Sequence, residues 1–155
     1  MKLLETNYKR IVIKVGGSLF THPEAIENII EQISDLVKQR LEVVVVSSGA
    51  IVSGLSILGL KERPKKLSLL QATAALGQNE LMNIYRRVLT KKGLNCGQVL
   101  LTWEDFNQRQ RYLNAKNTLI SLLKLGIIPI INENDTVSVD EIKFGDNDRL
   151  SALVS

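Results

Sequence analysis

Four short apolar runs, separated by longer amphipathic stretches, dominate the pattern along the chain. The runs are rich in Val and Ile and cover residues 10–15, 42–47, 98–101 and 127–131. Their length and β-branched content predict buried strands. In the stretches between them, apolar residues at helical spacing predict helices. These helices cover residues 23–39, about 50–58, 67–92 and 112–125. Alternating strands and helices predict an α/β fold, a mostly parallel open sheet with helices on both faces.

Local signals refine the ends of these elements. Thr21, followed three residues later by Glu24, predicts a capping box, and Pro23 suits the first turn of the first helix. After the last strand we expect a polar loop over 132–135, a small hairpin over 136–144 and a final helix from 146–148. Residues 150–155 continue an apolar pattern without a stop signal, so we expect the chain to be the first part of a larger fold.

Composition excludes several classes of protein. With 45% hydrophobic and 23% charged residues the chain is typical of a globular domain. One Cys and one His exclude a disulfide framework and argue against a zinc site, so we expect no metal held by side chains alone. The lack of a long apolar run and the polar first residues predict a cytoplasmic protein without a membrane partner. The mild charge of +4 and seven scattered aromatic residues predict no nucleic-acid partner.

Polar loops follow three of the four predicted strands. In parallel α/β sheets ligands bind beyond the carboxyl ends of the strands, so these loops are the candidate site. They are residues 16–18, 47–50 and 132–135. Two nucleotide signatures are absent. No G-x-G occurs among the ten glycines, and Leu55 stands where a Walker A loop starting at Gly49 needs its phosphate-binding Lys.

Three features of these loops each have two interpretations. Lys14 alternates onto the face of the first strand opposite Ile13, where it either reaches solvent or faces an anion. The turn at Ser48 is either a plain helix cap or an anion-binding helix start. The Asn- and Asp-rich segments 132–135 and 146–148 serve either as turn formers or as a site for an ammonium group or a metal ion.

A set of motifs in a fixed order resembles the amino acid kinase family. The motifs are IVIKVGGS from Ile11, VVSSGAI from Val45, QATAALGQ from Gln71, QVLLT from Gln98, YLNAKNTL from Tyr112, IPIINENDTV from Ile128 and FGDNDRLSAL from Phe144. The paired NEND and GDND motifs are similar to those of one branch of this family. That branch phosphorylates the γ-carboxylate of L-glutamate with ATP and Mg²⁺. The resemblance implies the first step of proline biosynthesis and a homo-oligomer in the full-length form.

The resemblance also implies a role for each matched residue. On the phosphate side, Lys14 neutralises the transferred phosphoryl group, Asp148 orients Lys14, and the Gly16, Gly17 and Ser18 turn binds nucleotide phosphates. On the amino-acid side, Asp135 takes the α-ammonium and Asn147 donates to a carboxylate. The remaining substrate-binding candidates are Ser48, Gly49, Ala50, Asn132 and Asp146.

The chain departs from the pattern of that branch in two places and in length. Gly17 and Trp103 replace the expected Thr or Ser and the expected Arg. The adenine-binding segment, a second catalytic lysine and often a PUA domain come later in the family, so residues 1–155 are expected to be the N-terminal, substrate-binding part of the domain and inactive alone. The alternatives are another member such as acetylglutamate kinase, where Gly-Gly is typical, and a non-catalytic module that senses glutamate or proline.

Overall fold

The computed structural model describes residues 9–138 and 147–155, and the predicted hairpin from residue 139 onward and Asp146 lie outside these ranges. Four strands form one parallel sheet. They are β1 (Arg10–Val15), β2 (Glu42–Ser47), β3 (Asn95–Leu101) and β4 (Ile127–Glu133). The strand order is β1-β2-β4-β3, and each neighbouring pair is parallel. The predicted parallel α/β sheet is therefore confirmed.

Helices cover both faces of this sheet. A 3₁₀ helix spans Gly17–Thr21. The α-helices are α1 (Pro23–Lys38), α2 (Ala50–Leu58), α3 (Leu67–Lys91), α4 (Trp103–Asn107), α5 (Arg109–Lys124) and α6 (Asp148–Val154). Among the described residues, none of these helices is long and apolar enough to cross a membrane.

The period-two alternation of the strands divides the core into two layers. On one face, Ile13, Val45 and Ile130 pack with α1 and α3 residues such as Ile30 and Leu81. On the other face, Val12, Val44, Val46 and Ile131 pack with α5 and α6 residues that include Leu119 and Leu150. Lys14 belongs to the second face, as its alternation with Ile13 predicts.

Helices α2 and α3 pack with their backbones in close approach. A Cβ on Gly77 of α3 would overlap the carbonyl oxygen of Ala50 in α2, and one on Gly54 would overlap the carbonyl oxygen of Thr73. The small residues between Gln71 and Gln78 therefore serve helix packing. This contact holds α2, and the turn from which it starts, against the long helix α3.

The predicted capping box at α1 is wrong. His22 is the residue that precedes α1, and no side-chain cap is made there. The Thr21 hydroxyl instead donates to the Ser18 carbonyl oxygen at 2.7 Å, inside the 3₁₀ helix. Pro23 does begin α1. The same sequence pattern forms a complete capping box at Thr102 and Asp105, which begins the unpredicted α4.

Strands β3 and β4 are longer than the apolar pattern predicts. Strand β3 begins at Asn95, and its last residues pair with β4, with Leu101 opposite Glu133. Pairing with β3 therefore extends β4 to Glu133. Asn132 and Glu133, which were predicted to lie in a loop, belong to the strand. Helix α5 likewise begins earlier than predicted, at Arg109.

Candidate active site

The turns that follow β1 and β2 touch each other at the carboxyl edge of the sheet. The Ser48 N–H donates to the Val15 carbonyl oxygen at 2.9 Å. A Cβ on Gly17 would lie 3.3 Å from the Gly49 Cα, whereas one on Gly16 would meet open space. Because β1 and β2 are neighbours in the sheet, the two predicted glycine turns become one backbone-lined surface.

Gly49 is required by its conformation and by its surroundings. Its φ of 121° lies in the left-handed region that favours glycine, and it directly precedes α2. A Cβ at this position would also overlap the Phe20 ring. Gly49 therefore fixes the geometry of the turn from which α2 starts.

A cleft of about 410 Å³ opens beside these turns. Its lining contains six predicted residues, namely Lys14, Gly16, Gly17, Ser18, Ser48 and Gly49. It also contains Arg63, from the link between α2 and α3. Arg63 was not among the predicted site residues, because nothing in a basic surface segment indicates which of its side chains lines a cleft.

Lys14 and Asp148 form an ion pair at the edge of this cleft. The Lys14 Nζ lies 2.7 Å from the Asp148 Oδ1, and the Lys14 side chain is 30% exposed. Asp148 is the first residue of α6, and α6 packs on the sheet through Leu150 and Val154. Lys14 is thus a lysine with a partner beside the glycine turns, the arrangement that an anion-facing cation needs.

Asp135 supplies a buried carboxyl group. Only 6% of the residue is exposed, and its Oδ1 has no hydrogen-bond partner within the described chain. Burial, and to a smaller extent the Glu133 carboxylate, raises the pKa of Asp135 to about 7, against the opposing effect of the Arg63 guanidinium. A cation bound beside Asp135 would favour its ionised form.

Asn132 and Asn147 are buried and bonded to each other. The Asn147 Nδ2 donates to the Asn132 Oδ1 at 2.8 Å and to the Ser47 carbonyl oxygen at 3.2 Å. Both hydrogens of the Asn147 amide are therefore used within the protein, and the expected donation to a substrate carboxylate is not available in this arrangement. The Asn147 oxygen is the atom left for a ligand.

Unpartnered polar atoms mark the same region. Buried polar groups in folded proteins almost always have hydrogen-bond partners. Within the described residues, the buried side-chain atoms that lack one are the Oγ of Ser48, the Oγ of Ser53, the Oδ1 of Asp135 and the Oδ1 of Asn147. Three of these four residues are predicted substrate-binding residues. A bound ligand would supply the missing partners.

Ala50 and Asp146 are the remaining predicted site residues. Ala50 is buried as the first residue of α2, so only its backbone can face a ligand. In residues 9–138 and 147–155, no three His, Cys, Asp or Glu side chains converge as metal ligands would. Asp146 lies outside the described residues.

Comparison with known proteins identifies the family. The amino acid kinase family model matches residues 9–155. The chain belongs to the amino acid kinase family.

Curated members of that family are similar over almost all of the chain. The glutamate 5-kinase of Clostridium acetobutylicum is 50% identical over 156 residues, which is 97% of this chain and 58% of that protein. The glutamate 5-kinase of Carboxydothermus hydrogenoformans is 46% identical over 100% of this chain and 44% of that protein. The chain thus spans about half the length of these relatives.

Solved structures agree on the fold. A Giardia carbamate kinase structure matches with a TM-score of 0.53 at 14% identity, over 82% of this chain and 59% of that chain. A second, of the Giardia lamblia enzyme bound to AMP-PNP, matches with a TM-score of 0.50 at 17% identity, over 83% of this chain and 57% of that chain. The α/β architecture is therefore that of an amino acid kinase.

Proposed function

We propose that this chain is the N-terminal, amino-acid-binding part of an ATP-dependent kinase that phosphorylates the γ-carboxylate of L-glutamate. The product would be glutamyl 5-phosphate, and the step would open proline biosynthesis. The observation that carries the proposal is the ion pair of Lys14 and Asp148, 2.7 Å apart, beside the glycine turns of the cleft. The glutamate 5-kinase name of the relatives supports the choice of substrate.

The reaction needs charge stabilisation more than proton transfer. A glutamate γ-carboxylate is ionised at neutral pH, so no general base has to activate it. One of its oxygens attacks the γ-phosphorus of ATP, the bond from that phosphorus to the bridging oxygen breaks, and ADP leaves with the electron pair. Such phosphoryl transfers depend on positioning and on cations near the equatorial oxygens.

Lys14 would provide that cation, held toward the cleft by Asp148. The backbone N–H groups of Gly16, Gly17 and Ser18 would contact phosphate oxygens, because a glycine turn lets the backbone approach closely. The AMP-PNP bound to Giardia lamblia carbamate kinase supports a nucleotide as the second ligand. Mg²⁺ would be held mainly by phosphate oxygens and water.

Glutamate would lie between Ser48 and Asp135. The Ser48 hydroxyl and the N–H groups at Gly49 and Ala50 are donors suited to a carboxylate. The Oδ1 of Asp135 and the Oδ1 of Asn147 are unpartnered acceptors suited to an ammonium group. Asp146 stays a predicted contact of the same substrate. The single cysteine, Cys96, is consistent with the proposed cytoplasmic location.

A binding experiment on the 155-residue chain tests the amino-acid half. Calorimetric titration with L-glutamate should give binding, and N-acetyl-L-glutamate should bind at least about tenfold more weakly, since its nitrogen carries no charge for Asp135. Preference for the acetylated ligand would instead favour the acetylglutamate kinase alternative.

Turnover is tested in a chimera that supplies the missing half. Residues 9–155 would replace the matching segment of the Clostridium acetobutylicum glutamate 5-kinase, to which they are similar throughout. Incubation with glutamate, ATP and hydroxylamine should yield γ-glutamyl hydroxamate, the trapped acyl phosphate. Glutamate binding without hydroxamate would favour the sensing module.

A further inference from the structure

A line of hydrogen-bonded side-chain amides connects α3 to the residue before α6. Gln78 of α3 donates through Nε2 to the Gln98 Oε1 at 3.1 Å. Its Oε1 accepts from the Asn132 Nδ2 at 2.9 Å. Asn132 in turn accepts from Asn147, which directly precedes α6. Helix α3 is thereby linked through β4 to Asn147, the residue directly before Asp148.

Backbone groups fix the direction of every hydrogen bond in this amide line. The Glu133 N–H donates to the Asn132 Oδ1 at 2.8 Å, and a backbone N–H cannot act as an acceptor. The Asn132 Nδ2 must therefore point the other way and needs an acceptor. Gln78 Oε1 is that acceptor, at a position where Asn132 is fully buried.

The far end of the amide line is fixed in the same manner. The Asn147 Nδ2 donates to the Ser47 carbonyl oxygen, which can only accept. Its Oδ1 is consequently the atom left unpartnered. The Ser47 Oγ accepts from the Tyr85 hydroxyl at 3.0 Å, so α3 also holds the end of β2. One helix thus braces both Ser47 and Asn132.

We propose that Gln78 is a positioning residue for phosphoryl transfer, acting through Asn132 and Asn147 on the Lys14–Asp148 pair. This proposal rests on the proposed function. Gln78 does not line the cleft. Its amide satisfies the buried Asn132 Nδ2, which keeps the Asn132 side chain facing Asn147 and so holds the start of α6. Asp148, the first residue of α6, then meets Lys14 at hydrogen-bond distance.

The test replaces Gln78 by Met, which keeps the length of the side chain and removes its hydrogen bonds. Gln71→Met is the matched control, since Gln71 lies on the same helix and makes no side-chain hydrogen bond within the described residues. In the chimera, kcat of Gln78→Met should fall on the order of 10- to 100-fold, as small misplacements of reacting groups do, while KM for ATP changes far less. Gln71→Met should stay near wild type.

Nuclear magnetic resonance on the 155-residue chain separates positioning from stability. The side-chain amide signals of Asn132 and Asn147 should shift in Gln78→Met and not in Gln71→Met. If the Asn147 signal stays in place, or if kcat per folded molecule matches the wild type, Gln78 has no positioning role. These spectra need no turnover, so an inactive wild-type chimera would contradict the proposed function without deciding this proposal.

Gln78→Glu provides a rescue. A protonated carboxyl group can accept from the Asn132 Nδ2 and donate to Gln98, as the wild-type amide does. Burial favours the neutral carboxyl group, so the ratio of the kcat of Gln78→Glu to the wild-type kcat should rise as the pH is lowered and the carboxyl group takes up its proton. A ratio that stays at the Gln78→Met value throughout the pH range would show that restoring the hydrogen bonds does not restore kcat, and would overturn the proposal.

Discussion

The candidate site has two sides that are built from different groups. The glycine side, formed by Gly16, Gly17 and the Ser48–Gly49 turn, presents backbone beside an open cleft. The amide side, formed by Asn132, Asp135 and Asn147, presents side chains that are at most 6% exposed. Among the described residues, the glycine side has one buried hydroxyl without a partner, the Ser48 Oγ, whereas the amide side has two unpartnered acceptors, the Oδ1 of Asp135 and the Oδ1 of Asn147.

This difference indicates where a residue that favours ligand binding lowers the stability of the unliganded chain. A backbone surface needs special conformations, but it leaves no charge buried. A buried carboxyl group without a partner costs free energy until a ligand supplies one. We therefore expect substitutions on the glycine side to damage catalysis or folding. A substitution at Asp135 should instead lower ligand affinity and raise the stability of the unliganded chain.

The largest effect is expected at Lys14, which lines the cleft beside the glycine side. Lys14→Ala in the chimera should lower kcat by at least about 10²-fold, since it removes a charge that stabilises the transition state. Glutamate binding to the 155-residue chain should change much less. Lys38→Ala, which breaks an exposed pair with Asp35, is the control. Wild-type hydroxamate formation by the Lys14 variant would remove this residue from the mechanism.

Gly49→Ala tests the glycine side through folding. The added Cβ meets the Phe20 ring and a φ of 121°, so the free energy of unfolding should fall by roughly 2–4 kcal/mol. Gly93→Ala is the control, because Gly93 also has a positive φ, 74°, but open space around it. Its loss should be only about 1 kcal/mol in the same urea titration. Equal losses would mean that the contact with Phe20 is relaxed at little cost.

Local patterns predicted the strands well, because buried parallel strands are apolar throughout. The two-residue alternation of side chains along β1 predicted the face of the sheet on which Lys14 lies. The pattern Thr-x-x-Glu/Asp was ambiguous. At Thr102 it makes a capping box, while at Thr21 the hydroxyl is already bonded within a 3₁₀ helix. The last residues of β4 depend on partners in β3, which no local pattern contains.

Only part of the candidate site was predicted, because some of its contacts arise from the tertiary fold and not from local sequence. Motif resemblance predicted that Asp148 orients Lys14; the two side chains form an ion pair, and the orienting role stays a prediction. Gln78 bonds to a residue 54 positions away, so its contact arises only from the tertiary fold. Arg63 sits in a basic link in which every charged residue has the pattern of a solvated surface. Residues that act through such distant contacts carry no local signal.

Asp135→Asn should separate affinity from stability on the amide side. Loss of the charge should weaken glutamate binding by about 10- to 100-fold. The pKa of Asp135 is raised from 3.8 to about 7 in the folded chain, so the folded state holds the proton more tightly than the unfolded state. Without ligand, the wild-type free energy of unfolding should then fall as pH rises from about 4 to about 7.

The Asn variant removes that fall, so it should be more stable than the wild type above pH 7, by roughly 1–4 kcal/mol. Urea titrations of both proteins at pH 5 and pH 8 measure the difference, and calorimetry measures the affinity. Equal stabilities at both pH values would mean that Asp135 ionises freely in the folded chain.

Arg63→Met should produce the smallest effect, a shift in the pH dependence of glutamate binding. Glutamate binding needs ionised Asp135, so the affinity should rise with pH through about 7. Arg63 lowers the pKa of Asp135, and its removal should move this rise to higher pH and weaken binding a few-fold at pH 7. Arg63 is exposed, so added salt should shrink the difference between the two proteins.

Lys65→Met, in the same link, removes an equal charge and serves as the control. If both variants shift the pH dependence equally, the net charge of the link matters and the position of Arg63 in the cleft does not. If Arg63→Met lowers affinity equally at every pH from 6 to 9, Arg63 contacts the ligand directly. In that case a charged side chain, in addition to the Ser48 hydroxyl, would bind substrate on the glycine side, and the division of the candidate site into a backbone side and a side-chain side would need revision.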